Sequence, residues 1–388
     1  MSRETGWNPK ALEEGPKVLW RINVGFGYSN VAIEDDRLYT MGRKREKNDI
    51  NNFVLCLDAR SGKLIWKYSY ENIYDPQSTP TIDGDYIYAL NQTGNMLCLN
   101  KKNGRVRWSR NIVKEYQAKP PHYGISGSPV IAGDLIILTA NTAGMALSKH
   151  TGEQVWGSVK PPEEGYDYTS SGVDYSSPVV YERGVKRFAV VSGYFGFRSV
   201  DTETGKPLWA YDWGKSPMNI GCQVADPVLF GEKLFVAEYW SGHPGAFLLD
   251  IGGKNAPELL WTNTETNSNN GSPVVIDGYI YVCQDGIQSG SGSLRCLDAK
   301  NGEILWEEML QRKPITLMAS DGKLIILDGE GRLFIAEASP HGYKEISRCA
   351  ISESKLSGDW WTPPVLCRGK IYCRSNIGDL VCIDVSKI

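Results

Sequence analysis

Isolated histidines and carboxylates are the side chains best suited to acid–base chemistry in this sequence. Of the four histidines, His122 and His243 lie in irregular segments, where an imidazole could hold or transfer a proton near neutral pH. No G-x-S-x-G string is present to activate a serine, and no His, Asp or Glu cluster has metal-ligand spacing. Paired carboxylates, as in a glycosidase, could still come together from distant segments. The residue types therefore favour binding over catalysis.

Aromatic residues are concentrated in the same irregular segments. Four tryptophans lie there, outside the repeat described below: Trp213, Trp240, Trp360 and Trp361. An indole offers a flat apolar face and one N–H donor, which suits a sugar ring or a protein side chain. Two interpretations stay open: at least one of these indoles contacts a ligand, or together they cover the ends of the strands.

A tryptophan-ended phrase recurs along the chain and defines its organisation. It reads LCLDARSGKLIW at 55–66, LCLNKKNGRVRW at 97–108 and LRCLDAKNGEILW at 294–306. The tryptophans that mark it, called the repeat tryptophans below, are Trp20, Trp66, Trp108, Trp156, Trp209, Trp261 and Trp306. Their spacings are 46, 42, 48, 53, 52 and 45 residues, and an eighth copy at 333–348 has no tryptophan. Periods of this length are typical of repeat folds.

A second phrase alternates with the first, so that each unit contains four strands. Clear copies are at 78–90, 127–139, 176–191, 225–237 and 271–283, and weaker ones at 29–41, 316–328 and 362–374. Each unit thus has strand-length runs A, B, C and D, with short turns from A to B and from C to D. Eight such units predict an all-β, eight-bladed β-propeller of four-stranded antiparallel blades.

The two ends of the sequence complement each other. The last unit ends after its C strand, DLVCIDVSKI at 379–388, and the D strand that it needs is KVLWRIN at 17–23. We expect residues 17–23 to complete the last blade and close the ring, which removes an open sheet edge. The prediction is a single propeller domain over residues 1–388, with residues 1–16 as an N-terminal arm.

Strand parity predicts where ligands bind. The A–B and C–D turns share one face, the turn face, whereas the longer B–C loops and D–A crossings share the other, the loop face. Irregular loops on a rigid scaffold are the usual place for binding residues. Residues three before each A-strand proline, or its equivalent, are expected at the mouth: Tyr28, Gln77, Ser126, Tyr175, Val224, Asn270, Pro314 and Trp361. The candidate ligand-binding set is Tyr28, Gln77, His122, Tyr175, Asp226, Trp240, His243, Asn270, Asp359, Trp360 and Trp361.

Other conspicuous residues have structural explanations. We expect all seven repeat tryptophans to pack between blades, each burying ~150–250 Å². His150 and His341 lie in C–D turns and are expected on the surface. Asp226 precedes a proline where other units have Ser or Thr. It could bind a cation, but capping a turn is the favoured interpretation.

The pattern D-A-x-(S/T/N)-G-x-x-x-W, from Asp58 to Trp66 and from Asp298 to Trp306, resembles the tryptophan-docking repeat of PQQ-like (quinoprotein-type) β-propellers. The resemblance covers essentially the whole chain. It implies the propeller fold, but members of this family include both PQQ dehydrogenases and non-catalytic scaffolds such as an outer-membrane assembly lipoprotein. The opening segment, SRETGWNPKALEEGPKVLW, is similar to mature domains of exported bacterial members, which implies a periplasmic or other extracytoplasmic location.

Several features depart from the dehydrogenases of that family. A PQQ dehydrogenase needs a calcium ion, a carboxylate base and an aromatic ring stacked on the quinone. These enzymes often have an adjacent Cys-Cys pair beside the cofactor, and this chain has neither that pair nor a haem-attachment C-x-x-C-H. Asp174, Asp226 and Asp359 could act as base or ligand, but no family motif supports them. We therefore predict no cofactor and no metal, with PQQ and calcium as the alternative.

Composition bears on the class of partner. The net charge is −3 and the densest basic run is GRKREK at 42–47, so nucleic acid is not expected. No run approaches the roughly 18 apolar residues of a membrane span, and MSRETGWNPK lacks the apolar core of a signal peptide.

Four of the nine cysteines share one apolar strand position, which argues against a full disulfide framework: Cys56, Cys98, Cys296 and Cys382.

The functional hypothesis is a non-catalytic PQQ-like scaffold that binds a protein partner, a small ligand or a glycan on its loop face. The alternative is a PQQ- and calcium-dependent alcohol or sugar dehydrogenase, or another carbohydrate-active enzyme. The sequence leaves the oligomeric state open.

Overall fold

The structure is a computed structural model that describes most of the chain. The described residues are 2–45, 51–118, 120–140, 144–157, 173–193, 196–212, 222–238, 245–253, 256–268, 271–286, 291–311, 314–351 and 358–387. Within them lie eight four-stranded antiparallel sheets, one two-stranded parallel sheet and one short helix. The predicted all-β, eight-bladed propeller is confirmed.

The first strands belong to the N-terminal part of the chain and to blades 1 to 4. Strand β1 is Val18–Asn23. Blade 1 contains β2 (Ala32–Glu34), β3 (Arg37–Arg43), β4 (Asn51–Asp58) and β5 (Leu64–Glu71). Blade 2 contains β6 (Thr81–Asp83), β7 (Tyr86–Leu90), β8 (Asn95–Asn100) and β9 (Val106–Asn111), followed by helix α1 (Ile112–Tyr116). Blade 3 contains β10 (Val130–Ala132), β11 (Leu135–Leu138), β12 (Met145–Ser148) and β13 (Gln154–Gly157). After β14 (Val173–Asp174), blade 4 contains β15 (Val179–Arg183), β16 (Lys186–Gly193), β17 (Gly196–Asp201) and β18 (Pro207–Asp212).

The remaining strands form blades 5 to 8. After β19 (Cys222–Gln223), blade 5 contains β20 (Val228–Phe230), β21 (Lys233–Glu238), β22 (Gly245–Asp250) and β23 (Glu258–Asn263). Blade 6 contains β24 (Val274–Ile276), β25 (Tyr279–Gly286), β26 (Ser291–Asp298) and β27 (Ile304–Gln311). Blade 7 contains β28 (Ile315–Ser320), β29 (Lys323–Asp328), β30 (Arg332–Glu337) and β31 (Glu345–Ala350). Blade 8 contains β32 (Val365–Cys367), β33 (Lys370–Arg374) and β34 (Asp379–Asp384).

The chain divides into two compact units. The first unit comprises Met1–Ile65, Ser69–Asp75 and Thr266–Ile388, and it holds blades 6, 7 and 8 and most of blade 1. The second unit comprises Trp66–Tyr68 and Pro76–Glu265, and it holds blades 2 to 5. The candidate site residues fall in both units, and each group is described within its own unit below.

Strand β1 is the fourth strand of blade 8. The strand order in this sheet is β1-β34-β33-β32, and the antiparallel pairing of β1 with β34 places Trp20 opposite Cys382. The carbonyl of Lys17, just before the strand, accepts a hydrogen bond from the N–H of Asp384 at 2.9 Å. The predicted completion of the last blade by residues 17–23 is confirmed.

The C–D turn is the most regular local structure, and it explains the repeated Asp and Gly. In blade 1, the Asp58 carboxylate accepts hydrogen bonds from the N–H groups of Arg60 and Ser61, at 3.1 and 2.8 Å, and from the Ser61 hydroxyl. The Ser61 hydroxyl contributes most to holding the pKa of Asp58 below its ordinary value. Gly62 ends the turn at φ +70°, in the left-handed region that favours glycine.

The hydrophobic core lies between the sheets of neighbouring blades. In the second unit, one cluster joins Leu90 and Met96 of blade 2 to Ile136 and Leu147 of blade 3. Burying such a side chain contributes about 1.5–3 kcal/mol relative to leaving it exposed. Because blade 3 covers one face of blade 2, neither of these blades buries its apolar side chains alone.

A Tyr–Cys–Trp triad recurs across strands B, C and D. In blade 2, Tyr88 lies opposite Cys98, and Cys98 lies opposite Trp108. The same register gives Tyr281, Cys296 and Trp306 in blade 6, and Tyr372, Cys382 and Trp20 in blade 8. Burial raises the pKa of the Cys98 thiol to about 11, so it stays protonated and unreactive. Every cysteine whose side chain the structure describes is free.

Two small elements on the D–A crossings do not belong to the four-stranded blades. Asn111 caps the start of helix α1: its side chain accepts the Lys114 N–H at 2.9 Å, and the Glu115 side chain accepts the Asn111 N–H at 2.8 Å. Strands β14 and β19 pair in parallel, with Val173 opposite Cys222. Both elements are too short to leave a periodic signal in the sequence.

Candidate functional site

Polar residues before the A-strand prolines link neighbouring blades in the second unit. The Ser128 hydroxyl accepts a hydrogen bond from the Thr79 N–H at 2.9 Å, and the Ser177 hydroxyl accepts one from the Ser128 N–H at 3.0 Å. The Asp226 carboxylate accepts one from the Ser177 N–H at 2.6 Å. Each blade thus satisfies a backbone donor of the blade before it, and we call these four residues the latch.

Asp226 occupies the latch position that serines fill in blades 3 and 4. Burial raises the pKa of its carboxyl, against the opposing effect of the bonds from Ser177. Calcium takes six to eight oxygen ligands, usually with several carboxylates. Among the described residues, no three His, Cys, Asp or Glu side chains are grouped so that they could hold a metal ion. The geometry of Asp226 is that of a backbone cap.

Three of the candidate residues, Gln77, His122 and Tyr175, lie close together on D–A crossings of the second unit. His122 packs edge-on against Tyr123, with ring centroids 4.8 Å apart, and the rings of Tyr123 and Tyr175 lie 6.1 Å apart. The Tyr175 hydroxyl accepts the Tyr123 N–H at 3.3 Å. Beside them the Ser126 hydroxyl donates to the Gln77 carboxamide. We call these five residues the tyrosine patch; its most prominent side chain, Tyr123, is 61% exposed.

The backbone of the tyrosine patch is held by blade 2. The Ile125 N–H donates to the carbonyl of Gln92 at 3.0 Å, and the Gly124 N–H donates to the carbonyl of Pro121 at 2.8 Å. Gly124 lies at φ +79° and its Cα approaches Gln92 so closely that a Cβ would clash. The exposed tyrosine therefore stands on an anchored loop, which lowers the entropy lost on binding.

The sequence-based candidate set omits Tyr123, the most exposed member of the patch. The sequence does contain an indication of Tyr123, because this residue follows His122 in an aromatic-rich D–A crossing. Tyr123 does not lie three residues before an A-strand proline, and its position depends on how the chain folds back after Gln117. Gln117 begins that fold in the left-handed region, at φ +56°.

In the first unit, Tyr28 and Trp361 form an aromatic pair. Their rings are stacked, with centroids 5.9 Å apart and planes inclined by 22°. Both side chains are half-buried, and the buried Trp361 indole N–H has no acceptor among the described residues. Below them Asn30 donates from its side chain to the carbonyl of Pro363 at 3.0 Å. The pair leaves one indole donor unused beside a partly open aromatic surface.

Trp360 is not available to a ligand. Its side chain is 0% exposed and packs in a hydrophobic cluster with Trp7, Leu12 and Ile351. The expectation that Trp360 lies on the ligand-binding surface is therefore wrong, because the chain turns this indole into the hydrophobic cluster, whereas Trp361 stacks on Tyr28. Asp359 exchanges two hydrogen bonds with Asn376 of blade 8: the Asp359 N–H donates to the Asn376 side chain at 2.9 Å, and the Asp359 carbonyl accepts the Asn376 N–H at 2.8 Å.

Three candidate residues lie outside the described residues: Trp240, His243 and Asn270. The loop tryptophan Trp213 lies outside them as well, and so does the side chain of Asp174. Their contribution to a binding surface stays a prediction.

The repeat tryptophans contact backbone carbonyls in the following blade. The indole N–H donates from Trp20 to Ala59 (3.1 Å), from Trp66 to Lys101 (3.0 Å), from Trp108 to Lys149 (3.0 Å), from Trp156 to Thr202 (2.8 Å) and from Trp306 to Ser339 (2.8 Å). Trp209 is buried but its indole N–H has no acceptor among the described residues. The corresponding carbonyl, that of Ile251, accepts from Arg183 instead. Trp261 packs on Phe235, with centroids 5.9 Å apart.

The turn face also has a concave surface, which the sequence does not indicate. An open depression of about 610 Å³ lies between blades 2, 3 and 4, with Ile131, Val180 and Tyr181 among its lining residues. Arg187 and Glu182 at its edge are an ion pair at 3.1 Å.

His150 and His341, both exposed, lie in C–D turns as expected. The His150 ring lies 3.2 Å from the Asp134 carboxylate.

The described residues do not fit the donor set of a calcium-bound quinone. The polar residues at the A-strand entries of the second unit are engaged in the latch, and Asp226 is the acidic member among them. No group of three potential ligands meets among the described side chains. In the same described part of the chain, no helix is long and apolar enough to cross a membrane.

Comparison with known proteins relates the chain to two kinds of relative. The outer membrane protein assembly factor BamB of Yersinia pestis is 21% identical over 315 residues, which are 78% of this chain and 72% of that protein. The polyvinylalcohol dehydrogenase of a Sphingopyxis species is 24% identical over 258 residues, 64% of this chain. That match spans 35% of the dehydrogenase, so most of the enzyme has no counterpart in it.

The solved structures share the fold. The crystal structure of BamB from Moraxella catarrhalis superposes with a TM-score of 0.66 at 14% identity, covering 95% of this chain and 99% of that one. The protein-family profile described as outer membrane protein assembly factor BamB matches residues 10–209 and 198–387. Since these two matches span nearly the whole chain, the protein belongs to the PQQ-like β-propeller family described as outer membrane protein assembly factor BamB.

Proposed function

We propose that this protein is a non-catalytic scaffold for outer membrane protein assembly, located outside the cytoplasm, and that it binds a protein partner on its loop face. The observation that carries the proposal is the tyrosine patch, an exposed aromatic surface on an anchored loop. The family profile and the Yersinia relative support the class of process.

The chemistry of the tyrosine patch suits a protein segment. Tyrosine supplies a large contact area at low conformational cost, and aromatic residues are enriched where partners bind. Around Tyr123 lie hydroxyl, amide and imidazole groups, from Ser126, Gln77 and His122, which can exchange hydrogen bonds with a backbone. We expect an apolar side chain of the partner to lie on the Tyr123 ring.

Site-specific photo-crosslinking in cells tests this proposal. A photoreactive phenylalanine analogue at position 123 should give an adduct with a component of the outer membrane protein assembly machinery, identified by mass spectrometry. The matched control carries the same group at Glu203, which is also exposed but lies in the C–D turn of blade 4 on the turn face. It should give no such adduct.

A double variant, Tyr123→Ala with Tyr175→Ala, should weaken the interaction by about tenfold or more if the patch contains the binding hot spot. The Tyr123→Ala part is a surface substitution, expected to change stability by at most about 0.5 kcal/mol. Equal adducts at positions 123 and 203, or an unchanged interaction in the double variant, would contradict the proposal.

Two further assays distinguish the alternatives. Dye-linked oxidation of alcohols or aldoses that depends on added PQQ and calcium would favour the dehydrogenase suggested by the Sphingopyxis relative. Binding to a glycan array that is lost in Trp361→Ala would favour a sugar ligand at the Tyr28–Trp361 pair. The scaffold proposal expects neither result.

A further inference from the structure

Blade 7 lacks the Tyr–Cys–Trp triad of its neighbours. The strand register places Ile325 opposite Ile335, and Ile335 opposite Ser347, so these residues occupy the tyrosine, cysteine and tryptophan positions. Replacing an indole by a serine side chain removes the largest apolar group of the repeat. All three residues are nevertheless buried, with Ser347 at 4% exposure. Another group must cover them.

The corner of blade 8 that would receive this indole also differs. Strands β34 and β1 come from opposite ends of the sequence, so no C–D turn and no turn glycine joins them. The carbonyl equivalent to that of Ala59 is the carbonyl of Val385. The N–H groups of these two residues have equivalent acceptors. The Val385 N–H donates to the carbonyl of Gly369 and the Ala59 N–H donates to the carbonyl of Asp36, each at 2.8 Å.

Apolar residues of the N-terminal arm cover the gap in blade 7. Trp7 and Leu12 are 3% and 0% exposed and belong to one hydrophobic cluster with Ile325, Ile335 and Val385. An indole is therefore present at this junction, although it comes from residue 7 and not from the D strand of blade 7. Burial of Trp7 and Leu12 is the main stabilising contact of the arm.

Hydrogen bonds of the arm reproduce those of a repeat tryptophan. The Asn8 N–H donates to the Val385 carbonyl at 2.7 Å, which is the bond that the indole N–H makes in other blades. The Ser347 hydroxyl, at the tryptophan position itself, donates to the Pro9 carbonyl at 2.5 Å. The arm thus satisfies the acceptor of blade 8 and the donor of blade 7 together.

A second anchor holds the start of the arm on the turn face. The Glu4 carboxylate accepts the N–H of Arg368 at 2.6 Å and the N–H of Gly369, both in the A–B turn of blade 8. The Ser320 hydroxyl of blade 7 donates to the Glu4 carbonyl at 2.6 Å. These contacts fix the direction in which the arm lies across the two blades.

We propose that blades 7 and 8 form a peptide-binding groove, the arm groove, whose ligand is the chain's own residues 2–12, anchored by Trp7. The groove recognises a peptide with an acidic residue three positions before a tryptophan and a leucine five positions after it. The residues after the tryptophan form turns, in which the Ala11 N–H donates to the Asn8 carbonyl. The groove is independent of the tyrosine patch, which lies in the other compact unit. In this proposal the arm is a tethered ligand, and the same sequence supplied from outside can take its place when the tethered copy is weakened.

The full chain provides a direct test with a synthetic peptide of residues 2–16. In the wild-type chain the tethered arm has a high effective concentration and excludes the free peptide. In Trp7→Ala the weakened arm vacates the groove, and the fluorescently labelled wild-type peptide should bind at least about tenfold more tightly than it binds the wild-type chain. A chain with Glu13→Ala, an exposed residue of the arm, is the matched control and should behave as wild type.

Hydrogen exchange on the same full-length variants gives a second readout. Amides of residues 2–12 should exchange much faster in Trp7→Ala, and also in Glu4→Gln, which retains the apolar anchor if Trp7→Ala does not fold. Protection of β29 to β31, which the arm covers, should fall in the same variants, and adding the wild-type peptide should restore it. A peptide with Trp7→Ala should not restore it.

Three results would overturn the proposal. The first is equal peptide binding by the wild-type and Trp7→Ala chains. The second is unchanged exchange of residues 2–12 in both Trp7→Ala and Glu4→Gln. The third is a dimer of the wild-type chain in light scattering that dissociates on adding the peptide, because the occupant would then be the arm of a second copy.

Discussion

Gly104 lies in the C–D turn of blade 2, where it contacts the Trp66 ring of blade 1. Its φ of +70° lies in the left-handed region, and a Cβ there would lie 2.6 Å from the Trp66 ring. The Trp66 indole in turn donates to the Lys101 carbonyl at 3.0 Å. The glycine therefore has two separable functions, to allow the turn and to admit the indole.

Comparing Gly104→Ala with Gly84→Ala separates these two functions. Gly84, in the A–B turn of the same blade, has φ +56°, but a Cβ added there would meet no atom within 4 Å. Alanine at position 84 should therefore cost about 1–2 kcal/mol for backbone strain alone. Gly104→Ala should cost a further ~1–3 kcal/mol, because the ring must move. Urea unfolding of the two variants measures the difference, and equal losses would show that the indole contact contributes nothing.

The latch shows how entire blades are connected through one side chain each. Thr79, Ser128, Ser177 and Asp226 occupy equivalent positions, but only Asp226 carries a carboxyl whose pKa is raised by burial. A hydroxyl serves as acceptor at the same position in the neighbouring blades. The charge of Asp226 is therefore not needed for the connection.

Asp226→Ser should leave the free energy of unfolding at pH 7 within about 1 kcal/mol of wild type, whereas Asp226→Ala removes the acceptor and should cost about 1–2 kcal/mol. The folded pKa of Asp226 is above its unfolded value of about 3.9. Ionisation thus favours the unfolded chain, and the wild type should lose stability relative to Asp226→Ser as the pH rises from about 4. Denaturation at pH 4 and pH 7 measures this; the opposite slope would mean that Asp226 has a cationic partner.

At the scale of the whole molecule, the two ends of the chain meet in blade 8. Lys17 and Asp384, separated by 367 positions, form an ion pair at 2.7 Å beside the β1–β34 pairing. The bond from Lys17, together with that from Ser386, lowers the pKa of Asp384 to about 2. The Lys17 side chain is 73% exposed, so solvent screens much of this interaction.

Because the folded pKa of Asp384 is depressed, the pair stabilises the protein above about pH 4 and loses its effect as the pH falls towards 2. Lys17→Met should therefore lower stability at pH 6 by less than about 1 kcal/mol, and by clearly less at pH 2, where much of Asp384 is protonated. Lys63→Met changes the equivalent corner of blade 1 and is the control. Thermal melting between pH 2 and pH 6 checks the prediction, which fails if both variants follow the same pH profile.

The periodic parts of the molecule could be predicted and the irregular ones could not. Strand order, the C–D turns and the completion of blade 8 by β1 follow from local phrases that repeat every 42 to 53 residues. Trp360 and Trp361 are adjacent in the sequence and are both expected on the ligand-binding surface, yet Trp360 is fully buried whereas Trp361 is half-buried and stacks on Tyr28. That difference depends on the path of a single non-repeating segment.

The sequence by itself determined the number of blades, the strands in each and the residues of the A–B and C–D turns, because these arise from short-range patterns of apolar residues, glycine and aspartate. Only the tertiary structure decided which side chains meet across the chain. Trp7 replaces the indole that blade 7 lacks, over 300 residues away, and Tyr123 meets Tyr175 from another crossing. Such contacts leave no spacing in the sequence, since they depend on where two distant, non-repeating segments are brought by the blades between them.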